Sequence, residues 1–255
     1  MTVAYIEPFE AVADVVHLLG DPYVVQGGRR CPVPEGCKRL LAFVALQGGR
    51  VDRRHAAGSL WPDGSEDRAS GNLRSALWRL RGAGIDVLES DKVSISLCEG
   101  TTTDLDELCD WADRLLSGTA SDADLHVPEW TSTVSELLPG WYDEWVIFER
   151  ERIRQRMLHA LEVLSQLLCR AHRYGEAIDA AMDAVAIEPL RETAHRALAE
   201  AHVAEGNCVE ARRAFLRYRD LARRELGVEP SAEFQSWLRS SAFGRRVEPG
   251  RAGVR

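Results

Sequence analysis

No stretch of this chain approaches the roughly 20 consecutive apolar residues that a membrane-spanning helix needs. The opening residues, Met1-Thr2-Val3-Ala4-Tyr5-Ile6-Glu7, carry no basic cluster, so no secretory leader is expected there. Lysine is almost missing: Lys38 and Lys92 are the only two among 32 basic residues. The six cysteines, Cys31, Cys37, Cys98, Cys109, Cys169 and Cys208, form no C-x-x-C pair, so buried, reduced thiols and a cytoplasmic setting are expected. Catalytic signatures are also missing: there is no G-x-S-x-G, no H-E-x-x-H and no G-x-x-x-x-G-K-[ST] phosphate loop. His195 and His202 are spaced to share a helix face, but no third ligand accompanies them. The expectation is a non-enzyme with no cofactor, no metal and no membrane partner.

A general excess of positive charge is lacking too. The 32 basic residues face 40 acidic ones, for a net charge of -8. The distribution says more than the sum. Residues 101–240 hold 16 Arg against 26 Asp/Glu, whereas residues 36–82 hold Lys38 and eight Arg against four acids. One basic segment lies inside an acidic protein. With 45% apolar residues over 255 positions, the chain is globular and long enough for two domains.

The most informative feature present is a repeat. Glu176-Ala177-Ile178-Asp179-Ala180 and Glu210-Ala211-Arg212-Arg213-Ala214 lie 34 residues apart, the tetratricopeptide period. Each unit then carries a Glu-Pro signal, Glu188-Pro189-Leu190-Arg191-Glu192 and Glu229-Pro230-Ser231-Ala232-Glu233. These signals are 41 residues apart, so the second unit is longer by seven.

Ahead of the repeat, residues 1–16 read as an extension of weak helical character. Val15–Leu19, Pro22–Val25 and Cys31–Pro34 read as short strands, with a turn at Gln26–Arg30. Helices are expected over Cys37–Leu46, stopped by Gly48-Gly49, and over Arg53–Leu60, capped by Asp52 and interrupted by Gly58. A third helix opens at Ser65 and runs to about Arg81, with Leu73, Leu77 and Leu80 as its apolar stripe. Val87–Ser90 and Val93–Leu97 pair as a hairpin through Asp91-Lys92. Three helices and a hairpin make a winged helix-turn-helix, whose third helix enters the major groove. Beyond it, a helix starts at Thr103 or Asp104, residues 117–135 read as a loop or broken helix, and Trp141–Arg173 reads as a long helix. Residues 241–255 read as a disordered tail. Trp61 reads as a core plug, and Trp141 and Trp145 as packing residues four apart on one helix face.

The expected fold class is mainly α: a winged helix-turn-helix (17–100) followed by an all-α tetratricopeptide-like domain (101–240). The chain resembles the SARP-type (antibiotic-regulatory) transcriptional regulators, which join an OmpR-type winged helix to a bacterial transcriptional activator domain. In the N-terminal part the resemblance is carried by Leu18-Leu19-Gly20, Leu40-Leu41-Ala42, Leu60-Trp61-Pro62-Asp63 and Leu77-Trp78-Arg79-Leu80-Arg81. In the C-terminal part it is carried by Glu149–Ile153, Tyr174–Ala177, Pro189–Glu192 and Glu225–Ser231. The resemblance implies a transcription activator binding promoter direct repeats, with double-stranded DNA, RNA polymerase and a second protomer on DNA as partners. The chain departs from that pattern at Gly71, inside the third helix, and at Val93-Ser94-Ile95-Ser96, where a Gly-Tyr pair is usual. A second reading is therefore an interaction adaptor whose winged helix has lost DNA.

On the third helix, Asn72, Ser75, Arg79 and Trp78 are expected opposite the leucine stripe, flanked by Arg74 and Arg81. Arg reads guanine and Asn reads adenine through paired hydrogen bonds, so Arg79 and Asn72 are expected at base edges. Arg74 and Arg81 are expected on phosphates, and Arg53 and Arg54 as further phosphate clamps.

Overall fold

A computed structural model describes residues 13–128 and 137–243. Among them, 13–110 with 137–152 form one compact unit and 111–128 with 153–243 a second. The architecture is the expected one: a small-sheet winged helix-turn-helix and an all-α repeat domain.

The first unit opens on β1 (Val15–His17), β2 (Tyr23–Gln26) and β3 (Arg29–Pro32). Val16 faces Val24 across the β1–β2 pair, and both are fully buried. The β2–β3 turn puts Gly27 at φ 53° and Gly28 at φ 75°, the two left-handed positions a tight hairpin of this twist requires. The fourth strand was not foreseen. β7 (Thr102–Thr103) adds to the far side of β1 in parallel, giving the order β3-β2-β1-β7. Two residues are too few to show a strand's alternation.

Helix α1 (Glu35–Gln47) is apolar nearly all round and is the centre of this core. Gly48, left-handed at φ 61°, ends it. α2 (Arg53–Leu60) is capped by Asp52, which accepts from the Arg54 and His55 amides at 2.8 and 3.0 Å. These bonds hold the Asp52 carboxyl below its ordinary range. Gly58 does not interrupt α2: the helix runs through it, because its neighbours Ala56, Ala57 and Leu60 are buried. Trp61 is half-buried at the C-cap rather than a core plug. α3 (Glu66–Gly82) is capped by Ser65 and buries Ala69, Leu73, Ala76, Leu77 and Leu80.

The wing is a three-stranded sheet rather than a bare hairpin. β4 (Val51–Asp52) pairs with β6 (Ser94–Leu97), which pairs with β5 (Leu88–Ser90). Its tip is closed by Asp91, whose carboxylate accepts from the Val93 and Ser94 amides at 2.7 Å each. Helix α4 (Asp104–Ser117) starts with Thr103 and Asp106 bonded to each other's backbone amides, while Asp104 accepts from the Leu18 and Leu19 amides. Leu137 and Leu138 return to the Leu18–Leu19 segment and are fully buried. The Arg150 guanidinium accounts for their carbonyls, donating to Leu137 O and Leu138 O. Trp141 precedes α5 (Glu144–Arg170) instead of lying on it, since Pro139-Gly140 and the turn after them delay the helix. The two tryptophans still pack: Trp145 meets Trp141 edge-on at 6.3 Å and Phe43 at 5.1 Å.

In the second unit α6 (Tyr174–Ile187), α7 (Glu192–Glu205), α8 (Cys208–Leu226) and α9 (Ala232–Phe243) are joined by short loops. Alanines at the contacts, among them Ala177, Ala180, Ala181, Ala197, Ala211 and Ala214, let the helices approach closely. The longer spacing of the second repeat is taken up mainly by α8, 19 residues against 14 for α6, before Gly227 ends it at φ 68°. The Glu-Pro signals are joints. Arg191 grips Glu162 through two hydrogen bonds of 2.7 and 3.2 Å, and the Glu192 carboxylate accepts from the Ser231 amide at 2.8 Å. His195 is buried between the Pro189 carbonyl and the Tyr218 ring, and burial pushes its pKa down. The expected tail over 241–255 lies outside the described residues, apart from 241–243 at the end of α9. The expected extension over 1–16 lies outside them as far as residue 12, and Val15 and Val16 belong to β1. Among the described residues no helix is long and apolar enough to cross a membrane.

Candidate nucleic-acid interface

The buried positions of α3 define which way the helix faces. With Ala69 and Ala76 added to the leucines, the outward stripe runs through Gly71, Arg74, Ser75, Trp78 and Gly82. Arg74, Ser75, Trp78 and Arg79 line one open depression on this surface. Trp78 is 75% exposed. Arg81 is exposed near the helix end, and Asn72, half-buried, sits on the flank.

Arg79 is exposed, yet its guanidinium is not fully extended. Its Nε donates to the Ser75 carbonyl at 3.3 Å, and a Cβ placed on Gly36 would stand 3.0 Å from its Nη1. A side chain at Gly36, at the start of α1, would push this flexible guanidinium aside by a few tenths of an ångström. The same guanidinium opposes the upward push that burial gives the Cys37 thiol.

The two arginines of α2 differ. Arg53 is half-buried and ties α2 to the wing, donating to Ser90 Oγ at 3.0 Å and the Asp91 carbonyl at 3.3 Å. Arg54 is exposed and pairs loosely with the exposed Glu66 at 3.5 Å. Other cations of the basic segment are paired: Lys38 with Asp21 and Glu35, Arg39 with Asp143, and Arg50 with Asp91. Arg68, Arg74, Arg79 and Arg81 make no ion pair among the described residues, and all four lie on α3. Arg68 and the exposed Lys92 at the wing tip were not singled out from the sequence. Helical spacing would have found Arg68, one turn before Gly71 and two before Ser75. Lys92 had only its place in a two-residue turn to mark it.

The family model of the bacterial transcriptional activator domain matches residues 112–240. The chain belongs to that family. The resemblance to SARP-type regulators read from the motifs holds, and this family is one of transcriptional regulators. A search of curated proteins returned no match. Among solved structures, EmbR of Mycobacterium tuberculosis, determined in complex with a low affinity phosphopeptide, is similar in fold, with a TM-score of 0.66 at 17% sequence identity. The match covers 92% of this activator-domain protein and 66% of the EmbR chain, so it spans just under two thirds of that relative.

Proposed function

We propose that this protein is a DNA-binding transcriptional activator acting in the cytoplasm. In this reading residues 17–100 bind direct repeats at promoters, and residues 101–240 contact a second protomer or RNA polymerase. One observation carries it: α3 holds four exposed arginines with no ion pair among the described residues, Arg74 on its outward stripe and Arg68, Arg79 and Arg81 beside it, while most other cations of the basic segment are paired within the fold. Cations left unpaired along one helix suit a polyanion, and α3 is the third helix, the one that a winged helix-turn-helix uses for recognition. Arg74 and Arg81 would contact phosphates, with Arg68 and the exposed Arg54 beside them. Ser75, Trp78, Arg79 and Asn72 would face the bases, Asn72 and Arg79 from the flank nearer α1. Arg53 would act by fixing the wing to α2, and its own phosphate contact would need the Ser90 bond to open.

A gel shift with the full chain and the promoter region of its own gene tests this. Binding that weakens with salt, and is reduced at least about five-fold by Arg74→Ala or Arg79→Ala, is the expected result. A pull-down that retains a protein partner equally well in both variants, with no DNA bound by wild type, would favour the adaptor reading instead.

A further inference from the structure

Charge does not explain Trp78. Its indole is 75% exposed at the middle of the outward stripe, flanked by Arg74 and Arg79. An indole is one of the largest apolar groups a protein can bury, and leaving it in water forgoes that burial. A face made only to hold phosphates gains more from a cation at this position. Gly71, two turns earlier on the same stripe, has no side chain, and a Cβ there would meet nothing nearer than Arg74 Nη2 at 3.8 Å. The middle of the stripe is thus bare backbone at one end and a broad apolar plane at the other. Such a surface sits close to its partner and presents an apolar patch to it. The floor of the major groove displays donors, acceptors and one apolar group, the C5 methyl of thymine.

We propose that Trp78 is a specificity residue that packs its indole against the C5 methyl of a thymine in the bound site. This rests on the DNA-binding reading above. The contact needs no hydrogen bond, so it leaves the neighbouring arginines for phosphate and guanine. It requires thymine rather than uracil at one position, because the two bases differ only by that methyl.

The test is selection by the full chain from two random duplex libraries, one made with thymine and one with uracil in its place. Wild type should enrich a motif with one thymine preferred about four-fold, the effect of burying one methyl group, and should lose that preference in the uracil library. Trp78→Ala, selected from the thymine library, should lose the preference at the same position and keep the rest of the motif. Trp78→Leu, apolar but smaller, should keep part of it. Should Trp78→Ala enrich nothing, wild type on the two libraries together with Trp78→Leu decides. A wild-type motif identical in both libraries, or a thymine preference that survives in Trp78→Ala, overturns the thymine contact while leaving DNA binding intact. Failure of wild type to enrich any duplex overturns the DNA-binding reading itself, and this inference with it.

Discussion

Asp124 shows how much one contact controls in the second unit. The Arg114 guanidinium and the Ser121 amide both bond its carboxylate, and they hold its pKa down to about 2. A carboxyl whose folded pKa lies below its unfolded value stabilises the fold above about pH 4, and that contribution fades as pH falls from about 4 to 2. Arg114 is 44% exposed, so solvent screening reduces the effect to about 1–2 kcal/mol. Asp124→Asn should lower stability by that amount at neutral pH and flatten the loss between pH 4 and 2. Urea titrations across this range check it, and an unchanged acid slope would rule the contact out as a source of stability. The adjacent arginines of α2 offer a contrast at the same scale. Arg53→Ala should destabilise the protein by about 1 kcal/mol, because it removes two hydrogen bonds to the wing. Arg54→Ala should leave the melting temperature unchanged and weaken DNA binding. Thermal melts and gel shifts on both variants separate the two roles.

At the scale of the helix, two glycines pose opposite questions. Gly58 and Gly71 both lie inside helices, where Gly is less favourable than Ala by roughly 0.5–1 kcal/mol. A Cβ at Gly58 would meet nothing within 4 Å, and one at Gly71 would be in ordinary contact with Arg74 alone. Both Gly58→Ala and Gly71→Ala should therefore raise the melting temperature. Only Gly71→Ala should weaken DNA binding, since Gly71 lies on the outward stripe. Equal affinity of the two variants for the selected duplex would show that Gly71 has no part in the interface. From the sequence, Gly71 counts as a departure that weakens the helix. The register of α3 gives it a second meaning, because it lies in line with Arg74 and Trp78.

For the whole molecule, net charge and local charge predict different things. A protein at -8 should be repelled by DNA on average. The pairing of Lys38, Arg39 and Arg50 within the fold leaves the four arginines of α3 as the main unpaired cations of residues 36–82. If Arg68, Arg74 and Arg81, together with the exposed Arg54, each neutralise one phosphate, the logarithm of affinity should fall against the logarithm of salt with a slope of about -3.6 per protomer. Arg74→Ala should reduce that slope by about 1. Titration by fluorescence anisotropy at several salt concentrations measures both numbers. A slope near zero would mean that the basic face of α3 does not meet phosphates.

Local patterns were legible in the residues wherever a short stretch decides its own structure. Asp52 and Ser65 cap the helices they precede, Gly48 ends α1, and the leucines of α3 face the core as their spacing requires. The 34-residue period marked the stacked helices, and the 41-residue spacing marked the longer α8. Contacts far apart in sequence were not legible. The two-residue strands β4 and β7 and the return of Leu137 and Leu138 to β1's end depend on partners dozens of residues away. The same holds at the candidate interface. Residue types named its arginines and leucine spacing already turned Trp78 outward, but the burial of Ala69 and Ala76, too small to declare themselves in a pattern, moves Asn72 to the flank. Composition and spacing determined which elements form. Packing decided which cations remain unpaired and which side chains point to a partner, because a side chain's freedom depends on neighbours that only the folded chain brings to it.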